Sequence, residues 1–242
     1  MLNGISTSRN VAASAGCVAQ HGIDFLMRYL STTTKSPTKR LTADEEAALS
    51  SAGLLIGVIY EDAPTDVSYF TGRRGHRDGV NACHSALDLH IPAGAAVYFA
   101  VDYDASMAHI SGQILDYFGG VDQGVRDAGG GVSSYVVGIY GSGAACAFMK
   151  SHCPFVRFSW LAESTGWLGS QAYADWDIQQ RRATAPLCSF GPDDYEENLA
   201  RAEFGGFKVA LAAGPLDANI PGAAAMAASA VVHSKPRKGR AQ

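Results

Sequence analysis

The chain has 242 residues, 47% hydrophobic and 17% charged, with 27 Gly, 9 Pro and a formal net charge of −4. That length buries a sizeable core in one large domain or two small ones. A charged share below the roughly 25% usual for soluble domains, with no apolar run near the ~18 residues of a membrane helix, argues against both disorder and a membrane span.

Residues 1–10 lack a cationic segment followed by an apolar one, so no Sec-type signal is expected. Synthesis in the cytoplasm follows, with delivery to the periplasm or wall by a non-Sec route. Residues 2–5 are predicted as a first strand and 11–21 as its helix. A second strand spans 25–30, and Thr42-Ala43-Asp44-Glu45 is a capping-box pattern opening a helix through Ser51. The β-branched run 54–60 is a third strand, followed by a helix over 77–89. Ile91-Pro92-Ala93-Gly94 then turns the chain into a fourth strand, 96–101. The second half alternates helix 108–127, strand 135–140, helix 144–152 and strand 157–162. Weaker strands are predicted at 175–179 and 188–195. Eight parallel strands in about 200 residues suit a single (β/α)8 TIM-type barrel; a doubly wound sheet gives a similar count, and periodicity does not separate the two. Residues 209–242, Ala-rich and then basic, read as an extension. Its Lys235, Arg237, Lys238 and Arg240 leave −8 on the remainder. An acidic body excludes the concentrated Lys/Arg face of a nucleic-acid binder.

In either architecture ligands sit at the carboxyl ends of the strands. Tyr98-Phe99-Ala100-Val101-Asp102-Tyr103-Asp104 is the most informative of these ends. Period-2 alternation places Asp102 and Asp104 on the face of Ala100, while Val97, Phe99 and Val101 face the helices. Two carboxylates converging on one space raise a pKa, as a general acid requires. Glu61 ends the third strand on the face of Gly57 and Ile59. Tyr140 ends the fifth, and Asp177 and Gln179 share a face on the seventh. Arg28, within a buried strand, demands an anionic partner nearby. Trp160 and Glu163 flank the sixth strand, and Trp160, with Trp167 and Trp176, offers aromatic surface of the kind that stacks on sugar rings.

Other chemistries find less support. Five cysteines without a C-x-x-C pair indicate neither zinc nor a disulfide framework, and the seven histidines show no ligand spacing. Neither metal nor cofactor is expected. Gly141-Ser142-Gly143 opening a helix, with Glu163 twenty residues on, approaches a dinucleotide fingerprint, but Cys146 fills the third glycine position and the motif follows the fifth strand. No nucleophile elbow, P-loop or H-E-x-x-H is present.

At these residues the sequence resembles the glycoside-hydrolase-like domains related to the glycoside hydrolase family 25 muramidases. The resemblance is carried in order by Arg28-Tyr29-Leu30-Ser31, Leu41-Thr42 with Glu45 and Glu46, Ile59-Tyr60-Glu61, Ile91-Pro92-Ala93-Gly94 and Tyr98 to Asp104. It continues through Gly138-Ile139-Tyr140-Gly141-Ser142-Gly143, Trp160 to Trp167 and Trp176-Asp177-Ile178-Gln179, and runs over residues 2–208. It implies a barrel with an acidic pocket at the ends of strands one, three, four and eight. Asp102 and Asp104 stand where the muramidases carry their fourth-strand acids, Asp104 as proton donor in place of a Glu. Ser6 stands where the first strand usually has Asp, and the eighth-strand acid is Asp193 or Asp194. The implied substrate is peptidoglycan or another β-linked amino-sugar polymer, either cleaved by carboxylate acid/base chemistry or bound without turnover. Delivery of such a protein implies a secretion-system or phage-lysis partner.

Overall fold

The computed structural model describes residues 1–34 and 36–210; the predicted extension lies outside them from residue 211 onward. Eight strands close into a barrel in chain order: β1 Leu2–Ser6, β2 Phe25–Tyr29, β3 Leu55–Tyr60, β4 Ala96–Ala100, β5 Val136–Gly141, β6 Val156–Leu161, β7 Ile178–Arg182 and β8 Glu196–Ala200. Neighbours from β1 to β7 are parallel. The last strand departs from the expected all-parallel order, because β8 runs antiparallel to both β7 and β1. Residues 183–195, where a strand is predicted over 188–195, instead form a loop that begins and ends at the same rim. A chain returned without a crossover helix must run back down its neighbour.

The helices are α1 Ala15–Gln20, α2 Ala43–Ser51, α3 Gly72–Asp88, α4 Met107–His109, α5 Leu115–Ala128 and α6 Gly143–His152, with a π-turn at Ile110–Ile114 joining α4 to α5. Thr42 caps α2 as its sequence suggests, its Oγ1 accepting from the Glu45 N–H at 3.3 Å. The start of α3 lies five residues before the predicted one. Thr71 caps it, accepting from the Arg74 N–H at 3.2 Å, and its glycines then serve contact rather than flexibility. A Cβ at Gly75 would strike the Tyr117 carbonyl of α5, and one at Gly120 the Gly72 carbonyl, so only glycine lets the two helices approach this closely. No described helix is long and apolar enough to cross a membrane.

Alternation along the strands builds two cores. Leu26, Ile56, Val58, Val97, Phe99, Val137 and Ile139 face the helices, while Phe25, Met27, Ile59, Tyr98, Tyr140, Phe158, Trp160 and Ile178 fill the barrel. Inward-facing Gly57 and Gly138 leave the space that Met27 and the Tyr98 ring occupy. Phe204 plugs the floor, its ring centroid 4.6 Å from that of Phe25 and its carbonyl accepting from the Tyr98 hydroxyl at 2.7 Å.

The expectation of no disulfide is overturned. Cys17 on α1 and Cys188 in the β7–β8 loop are bonded across 171 residues, a pairing that sequence spacing does not signal, because it depends on how the barrel closes. Cys83, Cys146 and Cys153 are free and buried. Closing so long a loop restricts the unfolded chain, so the Cys17→Ser/Cys188→Ser variant is expected to lose about 2–4 kcal/mol, a fall of roughly 5–15 °C in Tm. Thermal melts of both proteins, with and without reductant, check this; equal Tm values would refute it.

Candidate active site

Four carboxylates, Glu61, Asp102, Glu163 and Glu196, gather with one ammonium group, that of Lys39, at the barrel mouth formed by the C-terminal ends of β1–β7 and the start of β8. Asp102 leaves β4 on the inward side expected from alternation, its N–H donating to the Pro64 carbonyl at 3.0 Å. Burial and the neighbouring Glu61 charge push its carboxyl up to about 6, against a smaller opposing pull from Lys39. Glu61 is anchored differently. Its N–H donates to the Ser31 hydroxyl at 2.7 Å and its carboxylate takes the Lys39 ammonium at 2.9 Å, in a pair only 11% and 20% exposed. Lys39 also lies 4.2 Å over the Tyr29 ring. Burial, with the Glu61 and Glu196 charges, raises the Tyr29 phenol well above its ordinary value.

The opposite wall is a hydrogen-bonded chain. The Tyr140 hydroxyl donates to Gln180 Oε1 at 3.0 Å, which also accepts from the Glu163 N–H at 3.2 Å. Gln180 Nε2 donates to the Ser6 hydroxyl at 3.2 Å and Asn198 Nδ2 to the same oxygen at 3.0 Å; Ser6 in turn donates to Glu196 at 2.9 Å. Burial raises the Glu196 carboxyl, as do the Glu163 and Glu61 charges, while the Ser6 hydrogen bond opposes them. Trp160 lies beneath, 2% exposed, its Nε1 donating to Asn198 Oδ1 at 2.9 Å and its ring edge-on to Tyr140 at 4.9 Å. It is a floor rather than an open stacking face.

Several sequence expectations need correction. Asp104 is exposed and outside the cluster, its Oδ1 accepting from the Leu168 N–H at 2.8 Å. Tyr103 still turns outward, onto Phe70 at 5.9 Å between centroids, but the ladder ends at Ala100 and the backbone beyond it carries Asp104 away from the mouth. Arg28 faces α2, not the mouth: its Nε donates to Glu45 at 2.8 Å, Nη2 to the same carboxylate at 3.1 Å and Nη1 to the Thr7 carbonyl. The anionic partner demanded by its burial is therefore Glu45. Asp177 and Gln179 fall on the outer side of β7. Asp177 accepts from Lys150 at 3.1 Å and from the Ser159 N–H at 2.7 Å, and Gln179 accepts from Arg181. Gln180 is the inward residue, since a slip of one position exchanges the faces of a strand. Neither Asp193 nor Asp194 belongs to the eighth strand. Asp193 is 90% exposed, 3.8 Å from Arg182, and Asp194 accepts from the Gly191 N–H and pairs with Arg9; Glu196 is the acid that β8 presents.

The glycine-rich turn before α6 has no open anion cradle. Gly143 N–H donates to the Ser170 hydroxyl at 3.1 Å and Ala144 N–H to the Leu168 carbonyl at 2.9 Å, and a Cβ at Gly143 would meet the Gly169 backbone. These glycines admit a covering loop. Among the described residues, the group close enough to share a metal ion is Cys17, His21 and Cys188, and its two sulfurs are bonded to each other. A concavity of about 670 Å³ opens at the opposite end of the barrel, where Asp122 and Arg126 pair with each other at 2.9 Å and Arg157 lies 3.8 Å from Glu203.

The sequence profile of the Rv2525c-like, glycoside hydrolase-like domain matches residues 17–203. The chain belongs to that family. The Rv2525c-like barrel is similar to the Tat-secreted protein Rv2525c of Mycobacterium tuberculosis, solved in complex with L-tartrate, with a TM-score of 0.63 and 17% identity over 84% of this chain and 98% of that one. It shares its fold with GHIP, a glycosyl hydrolase 25 of Streptococcus pneumoniae, at a TM-score of 0.51 and 12% identity over 83% and 87% of the two chains. Uncharacterized protein YbfG of Bacillus subtilis is 32% identical over 136 residues, 53% of this chain and 18% of YbfG. The chain thus spans a minor part of the curated relatives it matches, 18% and 26% of their lengths. Within the Rv2525c-like domain, Tyr29 was within reach of the sequence, because alternation from Phe25 puts Met27 and Tyr29 inside. Lys39, Gln180 and Glu196 gave no such signal: the first lies on a short 3-10 turn, Pro37–Lys39, and the other two depend on the register and direction of the last strands.

Proposed function

We propose that the acidic mouth binds a β-linked amino-sugar polymer, foremost peptidoglycan, and cleaves it with Asp102 as proton donor. The observation that carries this reading is a half-buried carboxyl raised to about 6 beside a second carboxylate, the asymmetry that separates an acid from an anion in glycoside hydrolysis. Asp102 protonates the glycosidic oxygen. Glu61, paired with Lys39 at 2.9 Å, stabilises the oxocarbenium-like state, orients water or assists the substrate's own acetamido group. The chain from Tyr140 through Gln180 to Ser6 and Glu196 positions the sugar. Support also comes from the fold shared, at a TM-score of 0.52 and 12% identity, with the modular autolysin LytC of Streptococcus pneumoniae, solved with a synthetic peptidoglycan ligand. The Cys17–Cys188 bond favours an oxidising location outside the cytoplasm.

One observation favours a second reading, a glycan-binding barrel without turnover: β1 presents Ser6, a hydroxyl committed to Glu196, rather than an acid. Reducing-end release from purified peptidoglycan, measured beside co-sedimentation with the same wall, separates them. Release with sedimentation supports hydrolysis; sedimentation without release at any pH from about 4.5 to 7.5 leaves the binding barrel, and loss of both removes each reading.

A further inference from the structure

On the outer side of the loop joining β3 to α3 lies a second cleft, about 380 Å³, lined by Ser68, Tyr69, Thr71, Arg73, Arg74 and Arg77. We propose that this cleft is an oxyanion site in which Arg73 and Arg77 grip a phosphate or carboxylate group, independently of the acidic mouth. Three arginines within five residues are unusual in a body that carries −8 outside its tail. Their placement is stranger still. The first turn of α3 has no acidic residue and holds Arg73 and Arg74, whereas that of α2 has Asp44, Glu45 and Glu46. Cations there oppose the positive end of the helix dipole, so stability alone would not select them, whereas a bound anion reverses the sign.

The arginines divide the work. Arg74 is fixed as a wall: its guanidinium stacks 4.0 Å over the Tyr69 ring and donates to Asp62 at 2.9 Å. Arg73 has no ionic partner among the described residues, and the carboxylate nearest Arg77, at 3.9 Å, belongs to Asp78, whose other oxygen holds the Tyr69 and Tyr117 hydroxyls. Both are exposed and stand one turn apart on the same face of α3. Two guanidinium forks at that spacing suit one tetrahedral oxyanion or adjacent phosphates. The Thr71 cap takes only the Arg74 N–H, leaving the N–H groups of Gly72 and Arg73 directed out of the helix start.

The test is calorimetric titration of the full chain with inorganic pyrophosphate and, separately, citrate, for the wild type, Arg73→Gln/Arg77→Gln and Asp102→Asn. Wild type and Asp102→Asn should bind alike, and the double arginine variant at least about tenfold more weakly at unchanged Tm, with affinity falling as salt rises. Preference for pyrophosphate marks a phosphate-bearing ligand; equal or better citrate binding marks a carboxylate-bearing one. No binding of either anion at about 10 mM, or binding by the double variant within twofold of wild type, overturns the proposal. Because Asp102→Asn serves as a control, failure of this site and failure of the hydrolase reading are distinguishable.

Discussion

Asp102→Asn is expected to reduce glycan cleavage by about two to four orders of magnitude, the usual contribution of a positioned general acid, while wall binding stays within a few-fold of wild type. The amide is nearly isosteric with the carboxyl and can still donate a hydrogen bond, but it has no proton to transfer. The same assignment sets the pH dependence. Only protonated Asp102 acts as the acid, and its carboxyl is raised by burial and Glu61 to about 6. The rate should therefore hold below that value and fall with rising pH above it, about tenfold per unit once the group is ionised. Lys39 opposes the rise, so Lys39→Met should move the falling limb to higher pH, a displacement that loss of packing alone would not cause. Reducing-end assays from about pH 4.5 to 8 read both effects. A limb that stays in place in Lys39→Met, or an Asp102→Asn variant of wild-type rate, would remove Asp102 from the role.

The largest expected effect on stability lies outside the barrel. Arg28 and Glu45 are both fully buried, and Glu45 also accepts from the Val11 N–H at 2.8 Å. One carboxylate thus ties β2, α2 and the segment after β1 together. Glu45→Ala leaves a guanidinium buried without its anion, which costs about 3–5 kcal/mol, a fall of roughly 10 °C or more in Tm for a domain of this size. Arg28→Met/Glu45→Leu should recover part of that loss, because no uncompensated charge remains, yet not all of it, since Val11 N–H and the Thr7 carbonyl lose their partners. Chemical denaturation of the three proteins measures the differences. A single variant within about 1 kcal/mol of wild type would show that the pair is not what holds these elements together.

The acidic mouth illustrates where local pattern suffices and where it stops. Alternation along β4 separates Ala100 from Val97, Phe99 and Val101, because successive side chains of a paired strand point to opposite faces. It failed at Asp104, two residues farther than Asp102, where no ladder restrains the backbone. β7 begins three residues later than its pattern suggests. Asp175, Trp176 and Asp177 belong to the approach, so Gln180 rather than Gln179 faces the mouth. The polar run Glu196-Glu197-Asn198 gave no strand signal, since only its inward side meets the other acids and Ser6.

The sequence alone determined what depends on neighbours along the chain: the β/α alternation, the Thr42 cap, the first seven strands of the barrel, and Glu61 and Asp102 at strand ends. Tertiary structure decided what depends on residues far apart. The reversed β8 that brings Glu196 to Ser6, the union of Cys17 with Cys188 across 171 residues, and Glu45 rather than a site acid as partner of Arg28 all follow from closure of the barrel. Hydrophobic periodicity records which way a side chain points relative to its own backbone; it contains no information about which distant side chain it will meet.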